Sequence, residues 1–86
     1  MNDTSVSPCL VQSTLQIWRQ LLHADDLDSG DDLRMRGANS LMFMVAFMRA
    51  NETFRTDAPL ADLFATRTVR EFAAAIQRAG GGNDPF

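Results

Sequence analysis

At 86 residues the chain has room for one domain. A domain of that size buries only a little over ~60% of its unfolded surface, which leaves no volume for a deep enzyme cleft beside a stable core. Eight basic residues, all arginine and none clustered, against eleven acidic ones give a formal net charge of −3, which excludes the concentrated positive surface that nucleic-acid binding requires.

The N-terminal residues 1–7 show no apolar periodicity and are expected to form a flexible tail. They carry no basic, long-apolar signal segment, so the expected location is cytoplasmic. From Pro8 to His23, Val11, Leu15, Trp18 and Leu22 recur at helical spacing, supplemented by Leu10, Ile17 and Leu21, and Pro8 suits a first turn. Residues 24–39 are rich in Asp, Gly and Ser and predict a long loop, pinned to the core by Leu27 and Leu33. Eight apolar residues then run without a break from Leu41 to Met48, far short of the ~20 that cross a bilayer. Leu, Met and Ala favour a helix here, Asn39 or Ser40 suits its N-cap, and the segment continues to Asn51 for a helix of about twelve residues. A second loop follows, with Phe54 as its anchor, and Pro59 opens a brief helix over LADLFA. Thr68 and Glu71 match a capping box for a last helix with Val69, Phe72, Ala73 and Ile76 on one stripe, stopping at Gly80. The expected fold is all-α: a small bundle of three longer helices and one short helix with a long first loop, a domain over 8–79 and flexible tails at 1–7 and 80–86.

Catalytic chemistry finds little support. A single histidine, His23, and a single cysteine, Cys9, leave no basis for a nucleophilic triad, a disulfide or a zinc cluster. Asp25, Asp26, Asp28, Asp31 and Asp32 lack the ligand order of a calcium loop and read as a solvated acidic segment, so no metal is expected. Ser40 is the residue that stands out. Gly37 and Ala38 keep the backbone before it slim, and a helix N-terminus favours an attached phosphate by about 0.3–1 kcal/mol. On the residues alone, a plain capping serine remains an equal alternative.

Helical arithmetic splits the apolar run. Phe43, Ala46, Phe47 and Ala50 form one stripe for the core, and Leu41, Met44 and Met48 form another on the side of Ser40. A thin bundle has difficulty burying both, so the second is expected to be an exposed interaction face, for which methionine's adaptable thioether is well suited.

The stretch DDLRMRGANSLM, Asp31 to Met42, resembles the core motif D-D-F-F-x-L-G-G-[DHN]-S-L of phosphopantetheine-dependent carrier proteins from nonribosomal peptide and polyketide assembly lines. IWRQLL, Ile17 to Leu22, is similar to the family's I-W-x-x-V-L segment, and PLADLFATRTVREFAAAI, Pro59 to Ile76, to its L-P-L-x-x-L-F-x-x-P-T-V stretch and the helix after it. The resemblance covers roughly residues 11–77 and implies a non-catalytic carrier with 4′-phosphopantetheine, taken from coenzyme A by a phosphopantetheinyl transferase, attached to Ser40. Arg36, Gly37, Ala38 and Asn39 would lie near the arm. The implied partner-docking face joins Leu41, Met44 and Met48 to Leu60 and Phe64 on the short helix.

The implied function is to hold an amino acid or acyl group as a thioester and deliver it to biosynthetic partners. Those partners are an adenylation or other loading enzyme, then condensation, ketosynthase, tailoring or thioesterase enzymes. The chain departs from the motif at several places: Arg36 stands for Leu, Leu33 and Arg34 for two phenylalanines, Ala38 for Gly, and Arg67 for Pro. Acyl carriers of the fatty-acid type are strongly acidic along the second helix, whereas here no acid lies between Leu41 and Arg49, which favours a peptidyl carrier. Met1 and the short tails lead to the expectation of a free-standing carrier, with a domain excised from a larger synthase as the alternative; a monomer and a role in antibiotic biosynthesis are further expectations from the resemblance. Two alternatives remain: an acyl carrier of a polyketide pathway, and a non-carrier helical interaction module using the Leu41, Met44 and Met48 face.

Overall fold

The structure, a computed structural model, describes residues 6–79. Four helices follow in chain order: α1 (Pro8–Leu22), α2 (Ser40–Phe54), α3 (Leu60–Phe64) and α4 (Val69–Arg78). Helix α1 packs on α2 and α4, and the short α3 bridges α2 and α4. Among the described residues there is no β-strand, only an isolated bridge between Asp32 and Thr68 that ties the first loop to the start of α4. The all-α bundle with a long first loop is therefore the fold that the sequence predicts.

Its centre is aromatic. Trp18, Phe43 and Phe72, one from each longer helix, are fully buried. The Trp18 ring meets Phe43 at 4.9 Å and Phe72 at 5.7 Å between centroids, both edge to face, the arrangement that ring quadrupoles prefer. Leu27 and Leu33 are buried too, so the long loop is pinned as expected. Two polar ties reinforce it. The Arg19 guanidinium donates from Nε and Nη2 to the Leu27 carbonyl at 3.0 and 2.8 Å, and the Leu33 N–H donates to the Arg67 carbonyl at 2.7 Å.

Four details differ from the sequence reading. In α1 the buried side is Leu10, Thr14, Leu15, Ile17 and Trp18, while Val11 and Leu22 are only half-buried. Thr14 hides in the apolar pattern because its hydroxyl donates to the Leu10 carbonyl one turn back, at 2.7 Å, and so enters the core satisfied. Helix α2 runs through Phe54 rather than ending at Asn51, so Phe54 is a helical residue and not a loop anchor. It stops there because Arg55 turns left-handed (φ 56°) and the Thr56 N–H closes back on the Asn51 carbonyl at 3.0 Å. At α4, Thr68 caps the Glu71 N–H as predicted, but the Glu71 carboxylate reaches the Arg67 N–H at 2.7 Å, one residue before the cap. Upstream of Pro8, Val6 packs against the core, and Ser7 caps α1 while its N–H donates to Gln77 Oε1 at 2.7 Å. The remaining tail residues, 1–5 and 80–86, and with them the stop at Gly80, lie outside the described residues.

Candidate functional site

The approach to Ser40 is built by the second half of the first loop. Asp32 starts it as an Asx turn, its Oδ1 accepting the N–H groups of Arg34 at 2.9 Å and Met35 at 3.2 Å. The chain then doubles back, with the Ala38 N–H on the Leu33 carbonyl at 2.9 Å. Gly37 makes the reversal at φ 106°, and a Cβ there would meet nothing within 4 Å. Glycine is required at this point for its backbone angle and not for room.

Asn39 and Ser40 divide two tasks that the sequence left open between them. Asn39 is the N-cap of α2: its backbone is extended and its side-chain oxygen accepts the Met42 N–H at 2.9 Å. Ser40 is the first helical residue and is exposed. Its hydroxyl has no hydrogen-bond partner among the described residues, and neither it nor its neighbour Leu41 has an acceptor for its N–H. The first turn of α2 carries no acidic residue, so its positive dipole end is not offset by the helix's own side chains. The result is an unengaged hydroxyl beside two open amides. Those are the features that accommodate a phosphodiester on the serine, and the 4′-phosphopantetheine group fits them.

Arg36 is placed otherwise than its sequence position invites. Its guanidinium turns into the loop and pairs with Asp26 at 2.6 Å and Asp31 at 2.9 Å. The hydrogen bond from Arg36, and then its charge, hold the Asp26 carboxyl below the ordinary value of 3.8. The acidic segment is thus partly a ligand set for an internal arginine. Among the described residues no group of His, Cys, Asp or Glu is arranged to hold a metal.

Along α2 the two predicted stripes separate. Phe43, Ala46 and Ala50 are buried, Phe47 is half-buried, and Leu41, Met44 and Met48 are 69%, 42% and 60% exposed. On α3, Leu63 is the buried anchor, and Leu60 and Phe64 are half-buried. The Phe64 ring rests edge-on against Phe43 at 5.8 Å, which brings α3 to the flank of α2. Two residues on this side escaped the sequence reading. Met35, in the loop before the serine, is 84% exposed, and a lone methionine between two arginines gives no periodic signal. Arg34 places its guanidinium carbon 4.6 Å above the Phe43 ring and donates to the carbonyls of Phe64 at 2.9 Å and Thr66 at 3.5 Å.

A small four-helix bundle whose long first loop ends at an exposed serine, on the first turn of the second helix, is the architecture of a carrier domain. The chain belongs to the phosphopantetheine attachment site family, whose model matches residues 12–76, and 4′-phosphopantetheine is its covalent cofactor. It is also similar to tyrocidine synthase 3 of Brevibacillus parabrevis, with 32% identity over 68 residues. That alignment covers 79% of this chain and 1% of the synthase, so the chain spans about one hundredth of that protein's length. Among the described residues no helix is long and apolar enough to cross a membrane.

Proposed function

We propose that this protein is a peptidyl carrier of a nonribosomal peptide assembly line, with Ser40 as the residue that takes the phosphopantetheine arm. The observation that carries the assignment is the division of labour at the start of α2. Asn39 holds the cap, which leaves the Ser40 hydroxyl exposed and unbonded among the described residues. In modification by a phosphopantetheinyl transferase, Ser40 Oγ gives up its proton and bonds to the phosphorus transferred from coenzyme A, with the adenosine bisphosphate part leaving. The attached thiol supplies the thioester that holds an amino acid or acyl group. The chain's own residues position: Asn39 fixes the first turn, Gly37 sets the reversal before it, and the Ser40 and Leu41 amides, unpaired among the described residues, would be available to hold the phosphate. In this reading the chain performs no catalysis and works in the cytoplasm.

Similarity to part of a synthase named for tyrocidine supports the peptide branch, as does α2, which has no acidic residue between Leu41 and Arg49. Partners are then an adenylation enzyme that loads the arm and condensation, tailoring or thioesterase enzymes that unload it. They dock on Leu41, Met44 and Met48 with Leu60 and Phe64 alongside. The same exposed face supports a second reading, a helical interaction module in which Ser40 has no part.

The deciding experiment is intact-protein mass spectrometry after incubation with coenzyme A and a broad-specificity phosphopantetheinyl transferase. The expected result is a gain of one phosphopantetheine on the wild type and none on Ser40→Ala. A folded wild type that gains nothing refutes the carrier assignment and leaves the interaction module standing.

A further inference from the structure

Helix α3 is five residues long, has no side-chain hydrogen bond at its N-terminal cap, and is too short to hold a helical conformation by itself. Its position therefore depends on what grips it. Leu63 grips it from inside the core, and two polar brackets grip its ends. Before the helix, Asn51 of α2 accepts the Ala58 N–H at 3.0 Å and donates to the Ala58 carbonyl at 3.2 Å. After it, Arg34 of the first loop holds the Phe64 and Thr66 carbonyls. The first bracket is internal to the α2–α3 connection. The second is not: it joins the loop that leads to Ser40 with the far end of α3.

We infer that Arg34 is a positioning residue for partner recognition, a latch that fixes α3 in register with the serine-bearing loop and the flank of α2. The base of the latch is itself held, because Asp32 accepts the Arg34 N–H and the neighbouring Leu33 is buried. Its head makes three contacts that only a planar, forked cation makes together: two carbonyl oxygens at its edge and the Phe43 ring under its face. Phe43 in turn meets the Phe64 ring edge-on, so the guanidinium, Phe43 and Phe64 form one contiguous set of contacts across loop, α2 and α3. Both hydrogen-bond acceptors are neutral, so these bonds provide geometry without neutralising the charge. Arg34 is itself exposed, and its loss is felt locally at α3 and not throughout the core.

The role in recognition rests on the carrier reading, and the test separates the two. Amide exchange is measured on the unmodified wild type, Arg34→Gln and Arg34→Lys. The same three proteins serve as substrates for the broad-specificity transferase with coenzyme A, with kcat and KM for the carrier resolved. Lysine keeps the charge and loses the fork. In both variants, protection of amides in residues 60–67 is expected to fall about tenfold, while that of Phe72 to Ile76 is unchanged. KM is expected to rise about fivefold with kcat within about twofold of wild type. Unchanged protection in Arg34→Gln, full rescue of KM by lysine, or lost protection with unchanged KM each overturns the latch as a positioning device. A wild type that takes no arm overturns the carrier reading, and the recognition role with it, whatever the exchange shows.

Discussion

Helices α2 and α4 pack on the same aromatic centre and differ in what they show to solvent. Helix α4 consumes its apolar residues in folding: Val69, Phe72, Ala73, Ala75 and Ile76 are buried, and Arg70, Glu71 and Arg78 face outward. Helix α2 buries Phe43, Ala46 and Ala50 and still has Leu41, Met44 and Met48 exposed on its other side. Folding accounts for all the large apolar residues of α4 and for only part of those of α2. Single exposed apolar residues are ordinary, but a row of them along the helix that begins at Ser40 is a surface whose use lies outside stability.

The contrast breaks most visibly at the core. Phe72→Ala is expected to cost about 3–5 kcal/mol in chemical denaturation, enough to unfold much of a domain this small. A cost below about 1 kcal/mol would mean that α4 does not anchor the core. At the start of α2, Asn39→Ala is expected to lose about 1 kcal/mol by removing the cap, whereas Ser40→Ala stays within about 0.5 kcal/mol of wild type. Equal losses at the two positions would return the serine to capping duty. At the other end of the same helix, Arg55→Gly relieves a left-handed non-glycine residue and is expected to raise the melting midpoint, by about 0.5–1 kcal/mol of stability.

Met44→Asp sharpens the comparison from the outer side. Stability is expected to stay within about 0.5 kcal/mol, while transfer of cargo from the loaded carrier to a downstream enzyme falls. Undiminished transfer would remove Met44 from the docking face.

The smallest effect is a titration. The Asp26 carboxyl is held below its ordinary value of 3.8 by Arg36, so its contribution to the loop is complete above that pH and is lost as pH falls through the lower, folded value. An NMR titration of the Asp26 carboxyl should therefore show a midpoint that climbs back toward 3.8 in Arg36→Gln.

Much of this was legible in the chain because it is carried by local pattern. Helical spacing gave α1 and α4, turn and loop composition gave the long first loop, and Leu27 and Leu33 stood out as its anchors by being the lone apolar residues in a polar stretch. The motif around Ser40, with its two companions, pointed to the family. What the pattern missed were residues whose behaviour depends on a particular partner or backbone angle that residue type and spacing do not specify. Thr14 enters the core because a carbonyl one turn away satisfies it, and Phe54 is helical because Arg55 takes the strained angle after it. Arg36 faces two aspartates and not the serine.

The sequence by itself therefore determined the helices, the approximate division of α2 into a buried and an exposed stripe, and the candidate serine, since periodicity and short motifs act over a few residues. Only the tertiary structure decided which of Asn39 and Ser40 is the cap, because both residue types serve equally well and the choice turns on one hydrogen bond to Met42. It also decided that Arg34 spans loop, ring and helix, because a long cationic side chain in a polar loop has no preferred target until folding brings the Phe43 ring and the carbonyls of Phe64 and Thr66 within its reach.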